Sequence, residues 1–161
     1  MESVAMKKFW LILMFCLVSA AVWAGKMPRG WSDDIDKALV KAEKEQRYVM
    51  ILFTGSDWCS WCKRLKADVL DRKAFQKFAN QHLVLVYFDF PVNKKIAPAQ
   101  LLKQQNWQKK FGIKGYPTTV ILNSKGVMVG KISGYEKEND FIQSLEKLCI
   151  KHSGTERKES K

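Results

Sequence analysis

Two cysteines stand three positions apart in Trp58-Cys59-Ser60-Trp61-Cys62-Lys63. On one helical turn that spacing brings the sulfurs close enough to join in a disulfide or to share one thiolate charge. The chemistry open to such a pair is thiol–disulfide exchange, in which one thiolate attacks a foreign disulfide and the other resolves the mixed disulfide. Cys59 falls where the helix should begin. Unpaired N–H groups and the helix dipole favour an anion there and lower a thiol pKa. Cys62, one turn inward, is then the resolving cysteine. The spacing alone also serves zinc sites and structural bridges. Zinc asks for about four ligands, and the other candidates, Cys149, His82 and His152, are not paired at ligand spacing, so no metal or other cofactor is expected. A structural bridge closing so small a loop would constrain little of the unfolded chain.

Positioning this pair requires a strand that turns into a helix. Tyr48 to Thr54 is a continuous apolar, β-rich run, the pattern of a strand buried on both faces. Gly55-Ser56-Asp57 breaks it, and a helix should start near Cys59 and run through Lys63, Leu65 and Val69. Upstream, Ser32 reads as an N-cap with acids in the first turn, and Ile35, Ala38, Leu39 and Ala42 carry a helix to about Gln46. Downstream, Asp71-Arg72 opens a short helix with Phe75 and Phe78 facing inward, and Leu83 to Phe90 is a second buried strand ended by Pro91. Pro98 suits a first helical turn, with Leu101, Leu102 and Trp107 on the apolar side. Thr118–Leu122 and Val127–Ile132, joined by Asn123-Ser124-Lys125-Gly126, form a hairpin. Phe141, Leu145 and Leu148 mark a last helix. Alternating strands and helices predict an α/β domain with a central mixed sheet flanked by helices.

The 161 residues suffice for one domain. Lys7-Lys8, the apolar run Phe9–Val22 and Val22-Trp23-Ala24 form a secretory leader over residues 1–24, cut after Ala24. The domain is expected over 25–150, with a polar basic tail at 151–161. Export implies a periplasmic location where disulfides persist and redox pairs find substrates. The net charge is +12, which reads first as a solvated basic face that aids solubility and otherwise as an excess that favours anionic partners. An exported chain has little use for nucleic acid, so an acidic client or an envelope surface fits better. Cys149 reads as a core residue of the last helix.

A second element, Gly115-Tyr116-Pro117-Thr118, precedes a strand. With it the chain resembles the thioredoxin family over about residues 31–150, Trp58-Cys59-x-x-Cys62-Lys63 standing as active site and Tyr116-Pro117-Thr118 as cis-proline loop. Phe53-Thr54-Gly55-Ser56-Asp57-Trp58-Cys59, with Asp89-Phe90-Pro91 and Asn106, is similar to exported bacterial thioredoxin-like proteins of the chlamydial DsbH type. The resemblance implies a thioredoxin fold and an oxidoreductase with Cys59 and Cys62 catalytic. It implies a cis bond before Pro117 that offers the Tyr116 backbone to an extended client. Trp58 and Trp61 add apolar surface for that client. The implied partners are exported cysteine-containing proteins and a membrane or periplasmic electron donor, and the chain is read as a monomer.

Three departures matter. Phe53 stands where thioredoxin has a buried acid, and Tyr87 near its lysine, which leaves water or Asp57 to handle protons. The segment Phe90–Lys110 is enlarged and sets the Trp107 helix beside the cis-proline loop. Trp61 replaces a proline between the cysteines. Neutral Ser60 and Trp61, with Asp57 opposing thiolate and Lys63 and Arg64 favouring it, point to a disulfide reductase. The alternatives are an oxidase, an isomerase, or a copper-binding module. An isomerase usually adds a dimerisation domain for which there is no room. A copper module would need a His or Met beside the pair, and no His lies near Cys59 in sequence.

Overall fold

A computed structural model describes residues 27–159, with side chains described through Cys149. The leader expected over 1–24 lies outside the described residues, while residues 151–159 of the expected basic tail continue the last helix.

The chain runs β1 (Trp31–Ser32), α1 (Ile35–Glu45), β2 (Tyr48–Thr54), α2 (Ser60–Leu65), a π-helical turn (Lys66–Leu70), α3 (Lys73–His82), β3 (Leu83–Asp89), α4 (Pro98–Lys110), β4 (Thr118–Leu122), β5 (Met128–Ser133) and α5 (Glu138–Glu159). The strands form one mixed sheet in the order β1-β3-β2-β4-β5. β3 is parallel to β1 and β2, while β4 is antiparallel to both β2 and β5.

Strand alternation sorts the core into two layers. Val49, Ile51 and Phe53 face α1 and α4 together with Val86, Phe88, Ile35, Ala38, Ala42 and Phe111. Met50 and Leu52 face the other side, with Leu65, Val69, Phe75, Ala79, Phe141, Leu145 and Cys149. This second layer carries α2 and so the cysteine pair.

Differences from the sequence expectation are local. The N-cap of α1 is Asp34, whose carboxylate accepts the Lys37 N–H, and not Ser32. Trp31 and Ser32 instead pair with Leu85 and Val86 as a short edge strand. Ser32 Oγ still accepts the Asp34 N–H at 3.1 Å. Leu102 does not join the apolar side of α4: it is 59% exposed, and Gln104 takes the buried position. Phe75 is buried as expected, with Phe78 packed at the edge of the same cluster.

Candidate active site

At the end of β2 the chain turns through Gly55-Ser56-Asp57-Trp58 before α2 begins. Cys59 is the N-cap of that helix in extended backbone conformation, and its N–H donates to the Gly55 carbonyl at 2.9 Å. Its sulfur accepts the Cys62 N–H at 3.2 Å, filling one of the unpaired donors of the first turn. Cys59 and Cys62 are joined in a disulfide. Both are buried, Cys59 at 7% exposure and Cys62 at 4%, so depth separates the two only slightly.

Two indoles flank the pair, Trp58 47% exposed and Trp61 53% exposed. Each is braced. The Trp58 Nε1–H donates to the Phe90 carbonyl at 2.8 Å. Its ring lies so close to Gly55 that a side chain there would have to push the indole aside. On the other flank Trp61 packs 5.6 Å from Tyr135, with the Arg64 guanidinium 5.5 Å from the Trp61 ring and 5.0 Å from the Tyr135 ring. Arg64 also meets Asp68 at 3.3 Å, and the Tyr135 hydroxyl donates to the same carboxylate at 3.0 Å.

The Tyr116-Pro117 bond is cis. Tyr116 meets Trp58 edge to face at 5.7 Å and Phe90 at 5.4 Å, so the proline loop and the cysteine turn share one aromatic wall. The Tyr116 hydroxyl accepts a 2.6 Å bond from Gln108 of α4. Burial pushes this phenol above its ordinary pKa, against the opposing effect of that bond. The enlarged segment thus does place α4 beside the proline loop. A depression of about 600 Å³ runs along Gly112, Tyr116, Pro117, Lys131 and Gly134.

Phe53 is buried on the α1–α4 face, opposite the layer of α2. Thr54 follows it and is hydrogen-bonded to Tyr87, whose phenol is pushed up to about 12 chiefly by burial and then by the charge of Asp89. Asp57 is tied up. Its two carboxylate oxygens accept the N–H groups of Val92 at 3.1 Å and Asn93 at 2.6 Å. Burial works to raise its pKa, but these backbone bonds outweigh it and hold the carboxyl below the usual value. An acid so held stays ionised near neutrality and is poorly suited to shuttle protons. This tether between residues 35 positions apart went unseen in the sequence, where nothing marks it.

Other chemistry-bearing residues lie elsewhere. Cys149 is buried in α5, and burial pushes its thiol up to about 12. His82 packs on Phe78 at 4.8 Å, at the end of α3. Met128 pairs with Leu122, at the other end of the hairpin from Thr118 and the proline loop. Among the described residues no three His, Cys, Asp or Glu side chains gather as a metal site.

Residues 35–148 match the family model described as a thioredoxin-like domain. Over 100 residues the chain is 30% identical to the disulfide bond reductase DsbH of Chlamydia pneumoniae, covering 62% of this chain and 60% of that protein. It is 24% identical over 110 residues to the thioredoxin-related protein DsbJ of the same organism, covering 67% of this chain and 31% of that one. It therefore spans less than two thirds of either relative. A solved DsbH oxidoreductase matches in fold with a TM-score of 0.68 at 21% identity, over 84% of this chain and 98% of that one. The chain belongs to the thioredoxin-like domain family.

Proposed function

We propose that this chain is a thiol–disulfide oxidoreductase that acts as a disulfide reductase on exported proteins. The observation that carries the reading is the Cys59–Cys62 disulfide at the start of α2, walled by Trp58 and by Tyr116 of the proline loop. Similarity to a disulfide bond reductase supports the same chemistry. The leader-like residues 1–24 support export to the periplasm, where cysteine-containing clients and an electron donor would be found.

In the reducing direction the pair starts as a dithiol. The Cys59 thiolate attacks one sulfur of a client disulfide, forming a mixed disulfide and releasing the other client sulfur as a thiolate. The Cys62 thiolate then attacks the Cys59 sulfur. That step forms the Cys59–Cys62 disulfide, releases the second client thiol, and completes the transfer of two electrons to the client. A dithiol of the donor class reduces the pair again. Trp58, Trp61 and the Tyr116-Pro117 backbone hold the extended client segment against Cys59.

The direction rests on charge. Ser60 and Trp61 are neutral, and Asp57 stays ionised beside the turn. The Lys63 ammonium donates to the Asp57 carbonyl at 2.8 Å, and Arg64 is engaged with Asp68. Nothing in this set supplies the large thiolate stabilisation of a strong oxidant. Glutathione redox titration of the full chain, followed by tryptophan fluorescence, tests the reading. The expected potential lies nearer about −270 mV than the strong oxidants near −120 mV. A value above about −160 mV would make the chain an oxidase on the same scale.

A further inference from the structure

The three residues leading into Cys59 are each fastened to the segment that leaves β3. Ser56 donates to Asp89 through its N–H at 2.8 Å and its hydroxyl at 2.6 Å. Asp57 accepts the amides of Val92 and Asn93, one on each carboxylate oxygen. Trp58 donates to the Phe90 carbonyl. Lys94 returns to the Ser56 hydroxyl at 3.1 Å. Phe90 itself is pinned from the other side, its N–H donating to the Thr54 carbonyl at 2.8 Å. Phe90, Pro91, Val92 and Asn93 therefore form a short strap, anchored by Thr54 at one end and by Asp57 at the other.

The strap decides where Trp58 stands. The Phe90 carbonyl takes the indole N–H, and the same edge of the ring, at Nε1 and the adjoining carbons, lies against Gly55. Pro91 has no N–H to bond, so the anchor beyond Phe90 falls to the next two amides, both held by Asp57. A charged acceptor makes stronger bonds to backbone amides than a neutral one. We propose that Asp57 is a positioning residue for client binding: by holding the strap it fixes Trp58 and hence the wall against which a polypeptide disulfide docks. The proposal rests on the oxidoreductase reading and deepens it. It separates two kinds of substrate. A polypeptide disulfide needs the wall as well as the Cys59 sulfur, whereas a small disulfide needs the sulfur alone.

The test is steady-state reduction of insulin and of glutathione disulfide by the full chain, with dithiothreitol as reductant. Asp57→Ala should raise the KM for insulin by roughly tenfold with little change in kcat, as expected when binding contacts are lost. Asp57→Asn keeps a neutral acceptor and should raise the insulin KM less than Asp57→Ala does. Both variants remove the same charge beside Cys59, so they should share one rate with glutathione disulfide. Val92→Pro removes one of the two amides from the opposite side and should reproduce the insulin effect with the Asp57 side chain intact, so it decides the matter should Asp57→Ala fail to fold. The proposal is overturned if Asp57→Ala and Val92→Pro leave the insulin KM unchanged, or if both substrates lose rate in equal measure, which would indicate a general loss of structure. A wild-type chain that reduces neither substrate would overturn the oxidoreductase reading itself, and the proposal with it.

Discussion

Phe53 of β2 and Phe88 of β3 stand opposite each other in the parallel register, their rings 5.5 Å apart and edge to face. Phe90 and Phe111 close around Phe53 at 6.4 and 6.5 Å. The position at which the thioredoxin resemblance would place an acid is thus the centre of an aromatic cluster, on the side of the sheet away from α2.

The first prediction follows from that cluster. Phe53→Asp should destabilise the fold severely, since losing the ring alone costs about 3–5 kcal/mol and an unpaired carboxylate would be buried in its place. Phe53→Leu should cost much less and leave disulfide reduction intact. Urea denaturation of both variants measures the difference. A well-folded Phe53→Asp chain would show that the site tolerates an acid after all.

A second prediction assigns the two sulfurs. Cys62→Ser should accumulate mixed disulfides between Cys59 and client proteins, because the resolving thiolate is gone. Cys59→Ser should capture none and reduce nothing. Non-reducing electrophoresis of each variant incubated with oxidised insulin reads the outcome. Capture by Cys59→Ser would reverse the roles, a point of interest because the two cysteines are nearly equally buried.

A third prediction concerns alkaline pH. Burial holds the Cys149 thiol up to about 12 from an ordinary 9.0, and Tyr87 up to about 12 from 10.0. In both cases the fold holds the neutral form and the unfolded chain ionises first. The stability they contribute is therefore complete below pH 9.0 and declines as pH rises towards 12. Urea midpoints across that window should fall, and Cys149→Ala should fall less steeply while keeping wild-type reductase activity. An identical slope in the variant would remove Cys149 from the account.

The strands β2 and β4 were legible to the residue because both are buried on both faces and leave unbroken apolar runs at Tyr48–Thr54 and Thr118–Leu122. The edge strand β1 was not. Two residues carry no periodicity, and Ser32 looked like a cap because acids follow it. Leu102, expected on the apolar side of α4, is exposed and Gln104 is buried, because the apolar stripe is too broken by glutamine and lysine to fix which face turns inward. At the site the same division holds. Cys59 and Cys62 announce themselves by residue type and spacing, and Trp58, Trp61 and Pro117 are pointed to by the thioredoxin resemblance. Their braces do not announce themselves. Arg64 meets Tyr135, and Asp57 meets Asn93, only once the chain has folded across long separations.

Among the described residues the sheet ends in two edge strands, β1 and β5. An open strand edge offers a row of N–H and C=O groups to any extended segment, and long flat edges recruit neighbours into aggregates. Here one edge is the two-residue β1. The other, β5, is kinked by a register shift opposite Ile121 and Leu122, and it carries the exposed Lys131 at mid-strand, whose ammonium reaches the Phe111 carbonyl at 3.3 Å. Neither edge gives a long, flat template. A chain proposed to hold extended clients at one end of its sheet gains from sides that offer them no such template.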